Sequence, residues 1–277
     1  LIHESKMLAL HVLYDGDDIN IRQIQRIYFA LAEDVSYNAS GELAMRLFQF
    51  ILKHSEIEII GENIKRDYVF CHINNIEFSS SYFDISLAHF NINTSTRHDL
   101  DVLMKEYLQR ELSSDESVAN AERAQGLVHL SGILKKRLEE LNLLEIYQTI
   151  DLKIVPVLAK MEREGISLNA NYLKEFEIEL THEIKKIETE IFQIAETEIN
   201  LNSPKQVGSL LFEKLQLPAL KKTKTGYSTD AEVLEELEGM DLSPIPGLLL
   251  THREYGKILS TYVKALPELV NPITKRI

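Results

Sequence analysis

A loop rich in lysine and hydroxyl residues has the chemistry needed to bind phosphate. Ammonium groups, hydroxyls and the free backbone N–H groups at a helix start bind phosphate oxygens without reading base sequence. The helical pattern STDAEVLEEL begins at this loop, with Ser228 or Thr229 as its predicted N-cap. A charge run is also the usual composition of a solvated surface loop, so the residues alone leave both interpretations open. The candidate residues are Lys221, Lys222, Thr223, Lys224, Ser228 and Thr229.

A second segment, NLNSPKQ, has the same chemistry at another helix start. Ser203 is the predicted N-cap and Pro204 the first helical residue. Amide side chains here could reach acceptors in the DNA minor groove, which are similar among base pairs and therefore suit binding without sequence preference. The candidate residues are Asn200, Asn202, Ser203 and Lys205.

A third group lies on the predicted helix HREYGKILSTYVKAL. Arg253, Lys257, Ser260 and Thr261 follow one another at helical spacing and share one polar face. Two cations flanked by hydroxyls suit phosphate contacts, and the alternative is an ordinary solvated helix face. For Tyr262, which follows them, a place in the core is the simple alternative to a role in binding.

One pair in the first half is a candidate remnant of metal chemistry. Asn63 and Asp67 are four residues apart and share a helix face. A two-metal site needs several carboxylates, and one cannot hold the ion pair. The favoured interpretation is therefore that Asn63 caps the helix and that Asp67 is a solvated charge beside Lys65 and Arg66. The nine histidines show no metal-binding spacing, and we expect no metal in this segment.

The overall charge appears at first to exclude a nucleic-acid partner. The net charge of the 277 residues is −13, and residues 1–150 carry −9 of it. Residues 203–229 and 251–277 are locally basic, and screening limits the reach of distant acidic groups to about 10 Å. Polyanion binding therefore remains open. The single cysteine, Cys71, excludes an internal disulfide, and the absence of a signal peptide or long apolar stretch predicts a cytoplasmic protein.

Hydrophobic periodicity supplies the elements that position these residues. MLALHVLY and IQRIYFALA predict an antiparallel strand pair; further strands and helices alternate after them, which indicates an α/β domain with a mixed sheet. Apolar residues from Leu173 to Ile194 recur at heptad spacing, so a long helix needs a partner, for which the C-terminal helix is the candidate. The second half is therefore mainly α-helical. We place the boundary between domains 1–148 and 149–277.

The second half closely resembles the thumb of bacterial family A DNA polymerases, the DNA polymerase I group. The resemblance rests on EINLNSPKQVGSLLFEKL, the Lys-Lys-Thr loop ending in Ser-Thr, and Arg-x-x-x-Lys-x-x-Ser-Thr-Tyr, preceded by VPVLAKMEREGISLN. It implies that residues 149–277 begin a polymerase domain and grip primer–template DNA. It also implies that the palm and fingers, with the Mg²⁺ they hold, are absent from this segment.

The first half resembles the 3′→5′ exonuclease domain of that family, which has a ribonuclease H-like fold. IIGENIKRDYVF is similar to its second motif, a strand followed by Asn-x-x-x-Asp. The first motif, Asp-x-Glu, falls on His11 and Leu13, and the third, Tyr followed by Asp, falls on Ala119 and Arg123. An arginine would repel a metal ion, so the resemblance implies a vestigial exonuclease. Asp15 or Asp17 as ligands would lie in the turn after the strand.

The resulting hypothesis is a fragment of a DNA-directed DNA polymerase with an inactive exonuclease-like domain. Its expected partners are duplex DNA and the palm and fingers of the same polymerase, in a monomeric protein without a membrane partner. Two alternatives stay open. One is an active metal-dependent 3′→5′ exonuclease that uses Asp67, and the other is a non-catalytic module that supports the polymerase.

Overall fold

The computed structural model describes residues 5–16, 22–223 and 226–277. The chain divides into two compact units, Leu1–Gly165 and Ile166–Ile277. No helix in the described ranges is both long and apolar enough to cross a membrane.

The first unit is built on a five-stranded mixed sheet of order β3-β2-β1-β4-β5. β1 and β2 pair antiparallel, as the sequence predicts, with Ala9 opposite Ala30, whereas β4 runs parallel to β1 and to β5. The mixed sheet with helices therefore confirms the predicted fold class. The strands are β1 (Met7–Asp15), β2 (Gln23–Ala32), β3 (Val35–Ser40), β4 (Glu58–Gly61) and β5 (Ser81–Asp84).

Helices cover both faces of this sheet and form two apolar cores. One core joins Ala9 and Tyr28 to the helices α3 to α5, and the other joins Leu8 and Leu10 to α1 and α2. Alternate residues of β1 thus face opposite cores, as a strand buried on both faces requires. The helices are α1 (Gly41–Lys53), α2 (Ile64–Asn74), α3 (Ile85–Ile92), α4 (Leu100–Leu108), α5 (Glu116–Glu140), α6 (Leu144–Ile146) and α7 (Leu152–Glu164).

A buried tyrosine ties the end of the sheet to the following helices. Tyr147 is fully buried in a π-helical turn, Tyr147–Asp151, and its hydroxyl accepts from Asp84 N at 2.8 Å and donates to Asp84 O. The Asp84 carboxylate accepts from Ile64 N at the start of α2. The helical stretch 144–164 continues past residue 148 and packs α7 on α2 within the first unit. The domain boundary predicted after residue 148 remains a prediction.

The second unit is helical, as the sequence predicts. α8 packs against α11 and against the π-helical turn Leu259–Lys264 that follows it, which confirms the predicted helix pair. Leu180, Ile187 and Ile191 are buried along the predicted seam of α8, but Ala195 and not Ile194 continues it. The helices are α8 (Ala170–Ala195), α9 (Pro204–Gly208, continued by the π-helical turn Ser209–Lys214), α10 (Ala231–Gly239), α11 (Ile245–Ile258) and α12 (Ala265–Glu268).

A small tip is carried by the helix pair of the second unit. It contains α9, α10 and a two-stranded hairpin of β6 (Lys222–Thr223) and β7 (Gly226–Tyr227). Val207, Leu210, Leu234 and Leu237 bury it in one core with Ile191 of α8. The tip therefore shares a hydrophobic core with α8, and this core supports the loops that carry the candidate binding residues.

Candidate nucleic-acid interface

Two concavities on the second unit share Asn202 and Arg253 at their edges, and together we call them the groove. The first has a volume of about 890 Å³ and the second about 480 Å³. Three segments that are distant in sequence meet there, which brings eight of the predicted residues together. These are Asn202, Ser203, Lys205, Ser228, Thr229, Arg253, Lys257 and Ser260.

The wall formed by α9 is held by short-range hydrogen bonds. Ser203 Oγ accepts from Gln206 N at 3.5 Å, which confirms it as the predicted N-cap of α9. Asn200 Oδ1 accepts from Asn202 N, and Asn200 N donates to Gln206 Oε1, both within 3 Å. Lys205 is exposed on this wall. These bonds connect the loop to the start of α9, and the exposed lysine is available to a ligand.

The opposite wall differs from the sequence prediction at the start of α10. Asp230, and not Ser228 or Thr229, caps this helix, because its carboxylate accepts from Val233 N at 3.0 Å. Ser228 Oγ accepts from Asp230 N instead, and Arg253 donates to Thr229 O and Thr229 Oγ1. Both hydroxyl residues are buried. They shape the groove more than they offer hydroxyls to it.

The basic loop is not one cationic patch. Lys221 is 3.2 Å from carboxylate oxygens of both Asp230 and Glu232, and these bonds raise its pKa. Lys222 Nζ lies 5.7 Å from the centre of the Tyr227 ring. Neither lysine lines the groove. Lys224 and the side chain of Thr223 lie outside what the structure describes, so their predicted DNA contacts stay predictions.

The helix face of the third group forms the floor of the second concavity. Arg253 and Lys257 line it together with Ser260, whose hydroxyl donates to Gly256 O at 2.8 Å. Burial lowers the pKa of Arg253, yet its guanidinium remains charged at neutral pH. Thr261 is exposed but does not line the groove. Tyr262 is 51% exposed, so the alternative that placed it in the core is wrong.

Carboxylates on the groove were missed by the sequence analysis. Glu213 and Asp230 line the first concavity, and Glu188 lines the second beside His252, whose Nε2 lies 3.2 Å from Glu188 Oε1. Glu188 is 64 positions from His252, so no local pattern could indicate the pair. These carboxylates offset part of the positive charge of the groove.

In the first unit, Asp67 is not the solvated charge that the sequence predicts. Its carboxylate is buried and accepts from Tyr14 Oη at 2.6 Å. Burial raises the pKa of Asp67 to about 6. Asn63 occupies the N-cap position of α2, as predicted, but it has a left-handed conformation, with φ at 51°, and its side chain makes no cap bond.

Residues at the positions predicted for the other two exonuclease motifs form a separate polar network. His11 Nε2 donates to Asn120 Oδ1 at 2.9 Å, and burial lowers the pKa of His11 to about 4. Arg123 donates to the same Asn120 oxygen, to both carboxylate oxygens of Asp101, and to Glu116. The Arg123 guanidinium is thus hydrogen-bonded to the carboxylates of Asp101 and Glu116 and to the amide oxygen of Asn120.

The remaining candidate positions supply no metal ligand set. Leu13 packs against the core, and Ala119 is buried. Asp15 Oδ1 accepts from Gln23 N at 2.6 Å in the strand pair, and Asp17 lies outside the described residues. Within the described part of the chain, no three His, Cys, Asp or Glu side chains come together in a metal-binding arrangement.

Comparison with known proteins covers both units. A model of the family described as 3′-5′ exonuclease matches residues 19–131, and one described as DNA polymerase family A matches residues 170–277. DNA polymerase I of Caldicellulosiruptor bescii is 37% identical over 83% of this chain and 27% of its own length. DNA polymerase I of Pseudomonas aeruginosa is 36% identical, over 100% of this chain and 34% of its own length.

The chain belongs to the family A DNA polymerases. It spans about a third or less of the length of the curated relatives that it matches. The fold agrees with the polymerase domain of Pol1 from M. smegmatis, solved with DNA primer-template and dNTP, at a TM-score of 0.87 and 24% identity. That match covers 99% of this chain and 48% of the other. The family A polymerase match contains every residue of the groove.

The buried carboxyl group of Asp67 should make the stability of this polymerase segment depend on pH. The unfolded chain loses the Asp67 proton near the ordinary pKa of 3.8 and the folded chain near 6, so between these values the folded state binds more protons. The contribution of Asp67 to the free energy of unfolding is therefore fully present below about pH 4 and is lost as the pH rises through 6. We expect Asp67→Asn, which keeps an acceptor for Tyr14, to raise the free energy of unfolding at pH 8 by about 1–2 kcal/mol.

Urea unfolding at several pH values measures this difference. The difference in the free energy of unfolding between Asp67→Asn and wild type should become smaller as the pH falls from 7 towards 4. Asp34→Asn, at an exposed turn, is the matched control and should change little at any pH. A loss of stability in Asp67→Asn at pH 8 would show that the ionised carboxylate is favoured in the fold.

Proposed function

We propose that residues 166–277 grip primer–template DNA through the groove, as the thumb of a DNA polymerase I. The observation that supports this most is that Lys205 and the Asn202–Ser203 helix start line the first concavity of the groove, Lys257 lines the second, and Arg253 lines both. Cations, amides and hydroxyls hold a sugar–phosphate backbone in place without selecting sequence. A relative of the same fold was solved with DNA primer-template.

The mechanism of the grip is electrostatic and geometric. Arg253 is fixed by Thr229, so its guanidinium needs little reordering when phosphate arrives. Lys205 and Lys257 supply exposed ammonium groups in the two concavities that Arg253 joins. Nucleotide addition by the parent DNA-directed DNA polymerase, with Mg²⁺, takes place on residues outside this segment, in the palm and fingers. The parent protein acts as a monomer in the bacterial cytoplasm.

Fluorescence anisotropy with a labelled duplex tests the grip. The 277-residue chain should bind weakly and lose affinity with rising salt, with a slope of about 0.9 in log K against log salt for each phosphate contact. Affinity that does not change with salt would contradict a grip made through phosphates.

We propose further that the exonuclease-like unit is inactive. The support is chemical: His11, Leu13 and Arg123 stand where the family motifs have carboxylates, and Asp67 is bonded to Tyr14. Two-metal hydrolysis needs carboxylates that hold both ions about 3.5–4 Å apart. With single-stranded DNA and Mg²⁺ or Mn²⁺, the chain should release no mononucleotides. Release that disappears in Asp67→Ala would establish the active exonuclease instead.

A further inference from the structure

The first unit contains a small basic concavity that the proposed DNA grip does not use. It has a volume of about 230 Å³ and lies beside the start of α2 and the end of α7. Three cationic side chains and one carboxylate line it, so its surface is mainly cationic. The lining residues are Arg22, Asn63, Lys65, Arg66, Val69, Phe70 and Glu162.

The two arginines are held in place around one aromatic ring. The Arg66 guanidinium lies 4.9 Å and that of Arg22 5.5 Å from the centre of the Tyr14 ring. Arg66 Nη2 donates to Val12 O and Arg22 Nε to Gly16 O, each at 3.3 Å. Guanidinium groups fixed in this way lose little freedom when they bind an anion.

Arg66 has an unused donor at this position. Its Nε is buried and has no hydrogen-bond partner, and the nearest carboxylate oxygen, from Asp67, is 3.8 Å away. The Arg66 side chain as a whole is 34% exposed and lines the concavity, so an anion would meet the guanidinium through its exposed part and not through the buried Nε.

Lys65 supplies a third cation that an anion can share. Its Nζ lies 2.6 Å from Glu162 Oε2, and both side chains are about 40% exposed. An exposed ion pair of this kind contributes little to stability. Lys65 can therefore move towards a bound anion with only a small loss of folding free energy.

We propose that this concavity binds a phosphate group. Arginine forks match the geometry of phosphate oxygens, and Lys65 adds a point charge. The volume is below the range of about 300–1,000 Å³ for drug-sized ligands, which limits the ligand to a small anion or to the phosphate end of a larger molecule. Inorganic phosphate and a nucleoside monophosphate share this chemistry. The site is independent of the groove.

Nuclear magnetic resonance of the ¹⁵N-labelled 277-residue chain tests the proposal. Inorganic phosphate should shift the Arg66 Nε–H signal and the backbone amides of Lys65 and Arg66. Deoxyadenosine, which has no phosphate, should leave them unchanged. Deoxyadenosine monophosphate that binds more tightly than phosphate assigns a nucleotide; equal affinity assigns the phosphate group alone. Shifts confined to the residues of the groove, or no shifts, would overturn the proposal.

Variants separate this site from the groove. Lys65→Gln and Arg22→Gln should each weaken phosphate binding about tenfold, and Glu162→Gln should strengthen it about threefold. Lys160→Gln, on the same helix as Glu162 but not lining the concavity, is the matched control and should have no effect. Unchanged affinity in Lys65→Gln would contradict the site even if the groove binds DNA.

Discussion

Replacing Lys205, Lys222 and Lys257 together with glutamate should abolish duplex binding at moderate salt. Lys205 and Lys257 line the groove, Lys222 lies on the neighbouring hairpin, and none of the three has a carboxylate partner within the described part of the chain. Each phosphate contact contributes a factor of about eight at 0.1 M salt, so three lost contacts reduce affinity by about several hundredfold. Fluorescence anisotropy titration with a labelled duplex measures this loss of affinity.

Lys221 is left out of this variant because of its carboxylate neighbours. Its ammonium is bonded to Asp230 and Glu232, and a glutamate there would repel both and disturb the start of α10. Lys153→Glu, Lys160→Glu and Lys174→Glu together make the matched control, with the same change in net charge at residues that do not line the groove. Equal loss in both triple variants would assign the effect to net charge and contradict the groove.

Arg123→Ala should destabilise the first unit by about 2–3 kcal/mol, the largest stability effect that we expect from one side chain in the polar network. The side chain is 17% exposed and donates four hydrogen bonds, at 2.8–3.0 Å, to Asp101, Glu116 and Asn120. Its loss leaves Asn120 Oδ1 with His11 alone, removes the cation beside Asp101, and leaves Glu116 Oε1 with Asn120 Nδ2. Hydration of these half-exposed or exposed carboxylates limits the cost. Chemical denaturation at pH 7 measures the change.

The pH dependence identifies the ion pair as the source of this loss. The hydrogen bond from Arg123 holds the pKa of Asp101 below its ordinary value. The stabilisation is therefore present above the ordinary pKa of aspartate and is lost as pH falls through the lowered one. The difference in the free energy of unfolding between wild type and Arg123→Ala should therefore become smaller at acidic pH. Arg137→Ala, which removes a surface pair with Glu140, is the control and should cost less than about 1 kcal/mol.

Local patterns in the sequence predicted most of the secondary structure. The β1–β2 pair, the long helix α8 with its partner, and the Ser203 cap are all confirmed. These features depend on residues near one another in the chain. The cap of α10 shows the limit. Ser228, Thr229 and Asp230 can each cap a helix, and the backbone at Asp230, with φ −66° and ψ 170°, decides among them.

Contacts between distant residues determined what the patterns could not. Tyr14 meets Asp67 across 53 positions and His11 meets Asn120 across 109. Burial beside Tyr14 makes Asp67 a buried carboxyl instead of a solvated charge. The partners of Lys221 likewise come from the start of another helix.

Residue types and spacing were sufficient to predict the family, the α/β and helical halves, and a histidine and an arginine at positions 11 and 123, where the resemblance implies carboxylates in the family motifs. Residue identity and spacing are sufficient for these, because motifs and periodicity are local properties. Which charges are available to a ligand, as at Lys205 and Lys257, and which are bound to neighbours, as at Lys221 and Arg123, became known from the packing of the fold. Availability depends on burial and on the nearest opposite charge, and both are set by packing between segments far apart in the chain.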